Sequence, residues 1–192
     1  MELSRLRADA QLAAARPSLR QEIHAFIVAH PAAHILEIAE RFGLSHPTIM
    51  YHLDLLKSEG YVVSVPWGKR RVHFDAASHF TAWEREVLAT FAADEPRAIL
   101  EAVAASPGTF GRELAASLGL STTTVKRHLP ALLKLGLIAE VESGFRRRFA
   151  IGPQLVRRGP ALLAKIPEAV GMQAMIRAVL ADTIGPNPSE TT

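Results

Sequence analysis

The chain has 192 residues, 48% of them apolar and 21% charged, as in a globular protein and unlike a disordered one. At roughly 100–150 residues per domain, that length holds one or two domains. Cysteine is absent, which excludes disulfide frameworks, thiolate metal sites and cysteine nucleophiles and suits a reducing cytoplasm. The net charge is only +3 although the pI is about 9.6. The placement of the basic residues, not their excess, therefore has to carry any argument for nucleic acid.

Residues 1–17 scatter their charges and have no apolar core, so they predict a short helix with Leu3, Leu6 and Leu12 rather than a secretory signal. The longest apolar run, Ala25-Phe26-Ile27-Val28-Ala29, is far below the ~20 residues of a membrane span. Beyond that point the chain repeats itself. A shift of 76 positions lays residues 19–74 on 95–150 without a gap, matching Gly43-Leu44-Ser45 to Gly119-Leu120-Ser121. The same shift matches His52-Leu53 to His128-Leu129 and Arg70-Arg71 to Arg146-Arg147. Two copies of one domain is the economical reading.

In the first copy, Ile23, Phe26 and Ile27 predict a helix ending near Pro31. A second helix carries Ile35, Leu36, Ile38, Ala39 and Phe42 and stops at Gly43. Ser45 caps a third, with Ile49, Leu53 and Leu56 facing inward and Gly60 at its end. A hairpin follows: Tyr61 to Val65, a turn at Pro66-Trp67-Gly68, and Arg71 to Phe74. Phe80, Trp83, Val87, Leu88 and Phe91 mark a connecting helix near 79–93, and Asp94 is placed to cap the next one. The second copy repeats the pattern, with a hairpin turn at Glu142-Ser143-Gly144 and with Pro130 expected to kink its third helix. Helices are expected at about 154–165, interrupted at Gly159-Pro160, and at 168–182. The predicted organisation is an N-terminal helix (1–17), two like domains (18–76 and 95–152), a connecting helix (77–94), C-terminal helices (153–184) and a frayed tail (185–192).

Helix, helix, tight turn, helix and hairpin make a winged helix-turn-helix, a mainly α fold with small β wings. The segments LEIAERFGLSHPTIMYHLDLLKSEGYV and RELAASLGLSTTTVKRHLPALLKLGLI resemble the winged-helix domains of ArsR- and MarR-like prokaryotic transcriptional regulators. The resemblance implies a sequence-specific regulator of double-stranded DNA. The candidate contacts in the first copy are Ser45, His46, Thr48 and Tyr51 on the third helix and Lys69, Arg70 and Arg71 on the wing. In the second they are Ser121, Thr122, Thr123, Lys126 and Arg127, with Arg146, Arg147 and Arg148 on the wing. Helix N-termini offer N–H groups to phosphate, and Lys or Arg on the third helix reaches base edges.

A solvated hairpin tip is the bland alternative for either basic cluster, and two clusters at equivalent positions weigh against it. The copies differ, because Met50, Tyr51 and Asp54 form a poor face for DNA while Lys126 and Arg127 form a good one. His52 and His128 read as partly buried histidines bonded to a neighbouring helix. No nucleotide-binding glycine loop, nucleophile elbow or zinc-protease helix occurs, so no catalytic residue, metal or cofactor is expected. The competing function is a tandem winged-helix adaptor that docks proteins or organises chromosomes. A homodimer is expected from the apolar C-terminal stretch (Leu162, Leu163, Ile166, Val170, Met172, Met175, Ile176, Val179 and Leu180), and no effector can be read from the sequence.

Overall fold

The computed structural model describes residues 17–141, 147–167 and 171–184, and the chain divides into two units, to Ser78 and from His79. Most of the expected N-terminal helix, the hairpin turn of the second copy with Arg146, and the expected tail lie outside the described residues.

In unit 1, helix α1 (Leu19–Ala29) starts at Ser18, whose hydroxyl accepts the Gln21 N–H while the Gln21 side chain accepts the Ser18 N–H. This reciprocal box fixes the helix start. Strand β1 (Ala33–His34) leads into α2 (Ile35–Phe42), then α3 (His46–Ser58) and the strands β2 (Val62–Trp67) and β3 (Arg70–Asp75). Ile23, Ile27, Ile38, Ile49, Leu53, Leu56 and Val62 form the buried core, so the three helical stripes meet beneath the sheet edge. The sheet order is β1-β3-β2, all antiparallel. β1 is a third strand that the sequence did not announce, since two residues leave no alternation to read.

The hairpin turn lies one step later than expected. Trp67 pairs with Arg70, leaving Gly68 and Lys69 as a two-residue loop, with Gly68 at φ +58°. Such loops want positive φ, which glycine supplies without strain. Pro66 consequently belongs to β2, an edge strand, where its missing N–H costs the ladder nothing.

Unit 2 contains α4 (Ala82–Ala92), α5 (Asp94–Ala105), β4 (Thr109–Phe110), α6 (Gly111–Ser117), α7 (Thr122–Lys134), β5 (Ile138–Val141), β6 (Arg148–Ile151), α8 (Pro153–Leu163) and α9 (Gly171–Ile184). Its sheet order, β4-β6-β5, repeats that of unit 1. Around this second copy α4, α8 and α9 add a helical jacket, α9 packing on α4, α5 and α8. Trp83 of α4 donates its indole N–H to the carbonyl of Leu135 at 3.0 Å, satisfying an orphan group at the end of α7, and Arg158 lies 4.0 Å over the same ring. Glu84, buried in α4, accepts from Lys165 at 2.8 and 2.9 Å.

Two local expectations are corrected. Asp94 does not cap α5: the cap position is Ala93, which gives no side-chain bond, and Asp94 is the first helical residue, paired with Arg97 at 2.8 Å. Helix α8 runs uninterrupted through Gly159-Pro160. Pro160 faces solvent, and a Cβ on Gly159 would meet Leu180 at 2.9 Å, so this glycine lets α9 come close rather than breaking α8. Of the apolar C-terminal stretch offered above as a dimer surface, Leu163 and Met175 are partly buried within the unit, and Val170 lies outside the described residues. Leu162, Ile166, Met172, Ile176, Val179 and Leu180 are all buried, and none of the exposed large apolar side chains among the described residues lies on α8 or α9. α7 is a single helix with Pro130 inside it.

Candidate nucleic-acid interface

Each third helix begins in the same way. Ser45 accepts the Thr48 N–H at 3.4 Å and shares a 2.8 Å bond with the Thr48 hydroxyl; Ser121 and Thr124 repeat this at 3.0 and 2.9 Å. The serine oxygens are therefore engaged in capping, and what each helix start presents outward is its first-turn N–H groups and dipole.

In unit 2 a cavity of about 670 Å³ opens between the start of α6, the outer face of α7 and the hairpin. Leu129 and Phe149 supply apolar wall; Arg112, Lys126 and Arg147 supply cationic rim, with Thr122 at one end. Arg147 is already occupied, donating to Glu140 at 3.0 Å from the facing strand. Arg148 turns aside, with its guanidinium 4.7 Å over the Phe110 ring. Arg127 leaves the groove as well. It donates to Glu95 of α5 at 2.7 Å, and the same carboxylate oxygen lies 2.8 Å from His128 Nε2. The bond to His128, with the charge of Arg127, holds the Glu95 carboxyl below its usual range. Thr123 is exposed beside them. Of the expected contacts in this copy, the structure brings Thr122, Lys126 and Arg147 to one groove and adds Arg112. Sequence reasoning passed over Arg112 because it lies on the second helix; its one signal was an exposed basic residue next to a helix start.

Unit 1 builds the same frame with other chemistry. His46, Met50, Tyr51 and Asp54 face solvent along α3, as do Lys69, Arg70 and Arg71 on the hairpin. Leu36 and Met50 occupy the repeat positions of Arg112 and Lys126, and they are 47% and 52% exposed. Tyr51, at the position of Arg127, is 62% exposed. Two histidines report the field behind this surface. Burial, then Arg70 and His46, lowers the His34 pKa; burial, then Lys57, His34 and Arg71, pushes His73 down to about 4 against the opposing charge of Asp54. His73 is consequently neutral at physiological pH and shares a 2.8 Å hydrogen bond with Ser64. Arg71 donates to the Ser64 carbonyl at 2.8 Å. His52 departs from expectation: its buried Nδ1 has no hydrogen-bond partner among the described residues. Its counterpart His128 has Glu95, a position that in unit 1 is Leu19.

Among the described residues no three His, Asp or Glu side chains converge as metal ligands, and no helix is long and apolar enough to cross a membrane.

Two segments of the chain, 18–63 and 96–139, match the winged helix-turn-helix DNA-binding family. A relative from Methanocaldococcus jannaschii, described as an uncharacterized HTH-type transcriptional regulator, is 25% identical over 139 residues, 72% of this chain. The chain spans about a third of the length of that curated relative, 34%.

Proposed function

From the premise that this chain is a tandem winged helix-turn-helix protein, we propose that it is a cytoplasmic, sequence-specific transcriptional regulator of double-stranded DNA. The observation that supports this reading is the convergence of Arg112, Lys126 and Arg147 on one groove between α7 and the hairpin. With α7 in a major groove and the hairpin over the neighbouring minor groove, the strand between them passes through that cleft, where Arg112 and Lys126 neutralise its phosphates and Arg147 joins them once phosphate takes its guanidinium from Glu140. Lys126, on the outer face of α7, is the base-reading candidate of this copy.

With ~4–6 phosphates neutralised in all, log K should fall against log salt with a slope of roughly −4 to −5. Replacing Arg146, Arg147 and Arg148 with Ala should weaken binding to every sequence and flatten that slope. Unchanged affinity would remove the wing of unit 2 from the interface.

The exposed Leu36, Met50 and Tyr51 are the observation that favours the adaptor reading, in which unit 1 holds a protein. Salt-independent behaviour toward duplex DNA would carry the argument to that side. One chain already presents two readers, and sedimentation of the DNA-bound chain, as monomer or dimer, decides whether one or two chains fill an operator.

A further inference from the structure

We propose that unit 1 is the thymine reader of this chain: Leu36 and Met50, at the positions of two groove-lining cations in unit 2, receive the C5-methyl groups of T·A pairs in the major groove. The inference rests on the DNA reading above and specifies which base chemistry each unit takes. In the major groove the thymine methyl is the one apolar feature of a base edge, and apolar side chains are what recognise it. Met50 is the flexible, polarisable kind of side chain that adapts to such a contact.

Exposure alone does not choose between DNA and a protein, so the surroundings must. Arg70 and Arg71 stand on the hairpin beside the surface, and Lys57 lies further along α3. Of the acids near the surface, Asp54 is paired with Lys57 at 2.6 Å, and Glu37 and Glu40 are exposed on α2 beside Leu36. The capped start of α3 adds N–H groups and positive dipole. An apolar patch in a positive frame complements an apolar group between phosphates. It complements an ordinary protein surface poorly, since a protein partner would have to bring its own acids.

The test uses the intact chain and two pairs of short duplexes. An alternating A·T duplex is compared with the same duplex carrying deoxyuridine for thymidine, which deletes only the C5-methyl. An alternating G·C duplex is compared with its 5-methylcytosine form, which adds a methyl at the equivalent place. The methylated member of each pair should bind tighter, by about fourfold for each methyl covered, the ratio that corresponds to ~0.8 kcal/mol per buried CH₂. The ratio should fall to about one in the Leu36→Ala, Met50→Ala double variant and persist in Lys126→Ala, whose absolute affinity drops. Met50→Lys, which installs the residue of unit 2, should tighten binding to all four duplexes while lowering the methyl ratio by the share of Met50 and leaving that of Leu36. Both substituted side chains are solvent-exposed, and a thermal melt of each variant checks the fold. Equal binding of methylated and unmethylated duplexes, with the salt slope intact, overturns the inference and leaves the DNA reading standing. A methyl ratio retained by the double variant also overturns it. Absence of salt-dependent binding to any duplex overturns the DNA reading itself.

Discussion

Unit 1 buries Ile38, Ile49 and Leu53, and unit 2 buries Leu114, Val125 and Leu129 at the same repeat positions, yet one residue away on the outer surface the two part company. Leu36, Met50 and Tyr51 in the first correspond to Arg112, Lys126 and Arg127 in the second. Inward positions are held by packing, where a lost methylene leaves a cavity and an added one forces strain. Outward positions carry no such constraint, so a duplicated domain keeps its fold while its chemistry diverges. The same contrast extends to support: unit 2 is jacketed by α4, α8 and α9, and among the described residues of unit 1 no α-helix is added to α1, α2 and α3.

The sharpest way to break the equivalence lies at the end of β6. Ala76 donates its N–H to Tyr61 at 2.9 Å in unit 1, and Gly152 makes the matching bond to Leu137 at 2.8 Å in unit 2. The bond is shared but the room is not. A Cβ on Gly152 would collide with the carbonyl of Gly136, because the chain there turns directly into α8. Gly152→Ala should cost unit 2 at least about 3 kcal/mol, whereas Ala76→Gly should cost unit 1 about 0.5–1 kcal/mol. Urea unfolding of the two full-length variants checks this, and equal costs would show that the α8 junction yields.

A second contrast is a buried histidine against a buried phenylalanine, His73 in unit 1 and Phe149 in unit 2. His73 titrates at about 4 in the folded chain and near 6.5 when unfolded. The unfolded chain therefore takes up the proton first, so stability is complete above pH 6.5 and declines as pH falls to about 4. At about 1.4 kcal/mol per unit, the loss across that window is roughly 3 kcal/mol. His73→Phe should abolish this acid sensitivity of unit 1 and cost about 1 kcal/mol at pH 7, through the orphaned Ser64 hydroxyl. Melting profiles between pH 7 and pH 4 distinguish the two chains, and parallel profiles would exclude His73 as the source.

Unit 2 has its own acid dependence through Glu84 and Lys165, and it falls in a lower window. Burial alone would raise the Glu84 pKa, but the hydrogen bonds from Lys165 and Thr81 outweigh it and hold the carboxyl below the usual value. The stabilisation is present above about pH 4.5 and is lost as pH falls through the depressed value. Glu84→Gln should cost about 1–2 kcal/mol at neutral pH, Lys165 being partly solvated, and should cost little once the carboxylate is protonated. Denaturant titrations at pH 7 and pH 3 read the difference, and a cost independent of pH would assign it to lost packing.

Much of this was legible in the residues. The 76-position repeat, the Ser45 and Ser121 caps and the inward leucines follow from periodicity and local hydrogen-bond chemistry, which are short-range and therefore written in the sequence. What escaped was decided at longer range. β1 and β4 are strands only because β3 and β6 run beside them. Gly159-Pro160 has the composition of a break, yet it sits in a helix because Leu180 packs against Gly159. The same distance effect governs the candidate site: Arg127 is a plausible reader by spacing, and Glu95, 32 residues earlier, takes its guanidinium.

That last pairing yields the smallest effect and the finest test of the comparison. Glu95 holds Arg127 and His128 together at the edge of the α7 face, and unit 1, with Leu19 and Tyr51 at the corresponding positions, has no such acid. All the groups are partly exposed, so the pair contributes little to stability, and its consequence is for binding. A carboxylate beside the groove repels phosphate and keeps one cation from it. Glu95→Gln should raise affinity for duplex DNA of any sequence by about two- to fivefold at low salt, and steepen the salt slope by up to roughly 0.9 as Arg127 becomes one more phosphate contact. Arg127→Ala should leave affinity nearly unchanged in the wild-type background and reverse the gain in the Glu95→Gln background, because in the first case the side chain is already committed to Glu95. A large loss on Arg127→Ala alone would mean that DNA takes the guanidinium from Glu95, and would make Arg127 a direct reader as its position on the helix suggests.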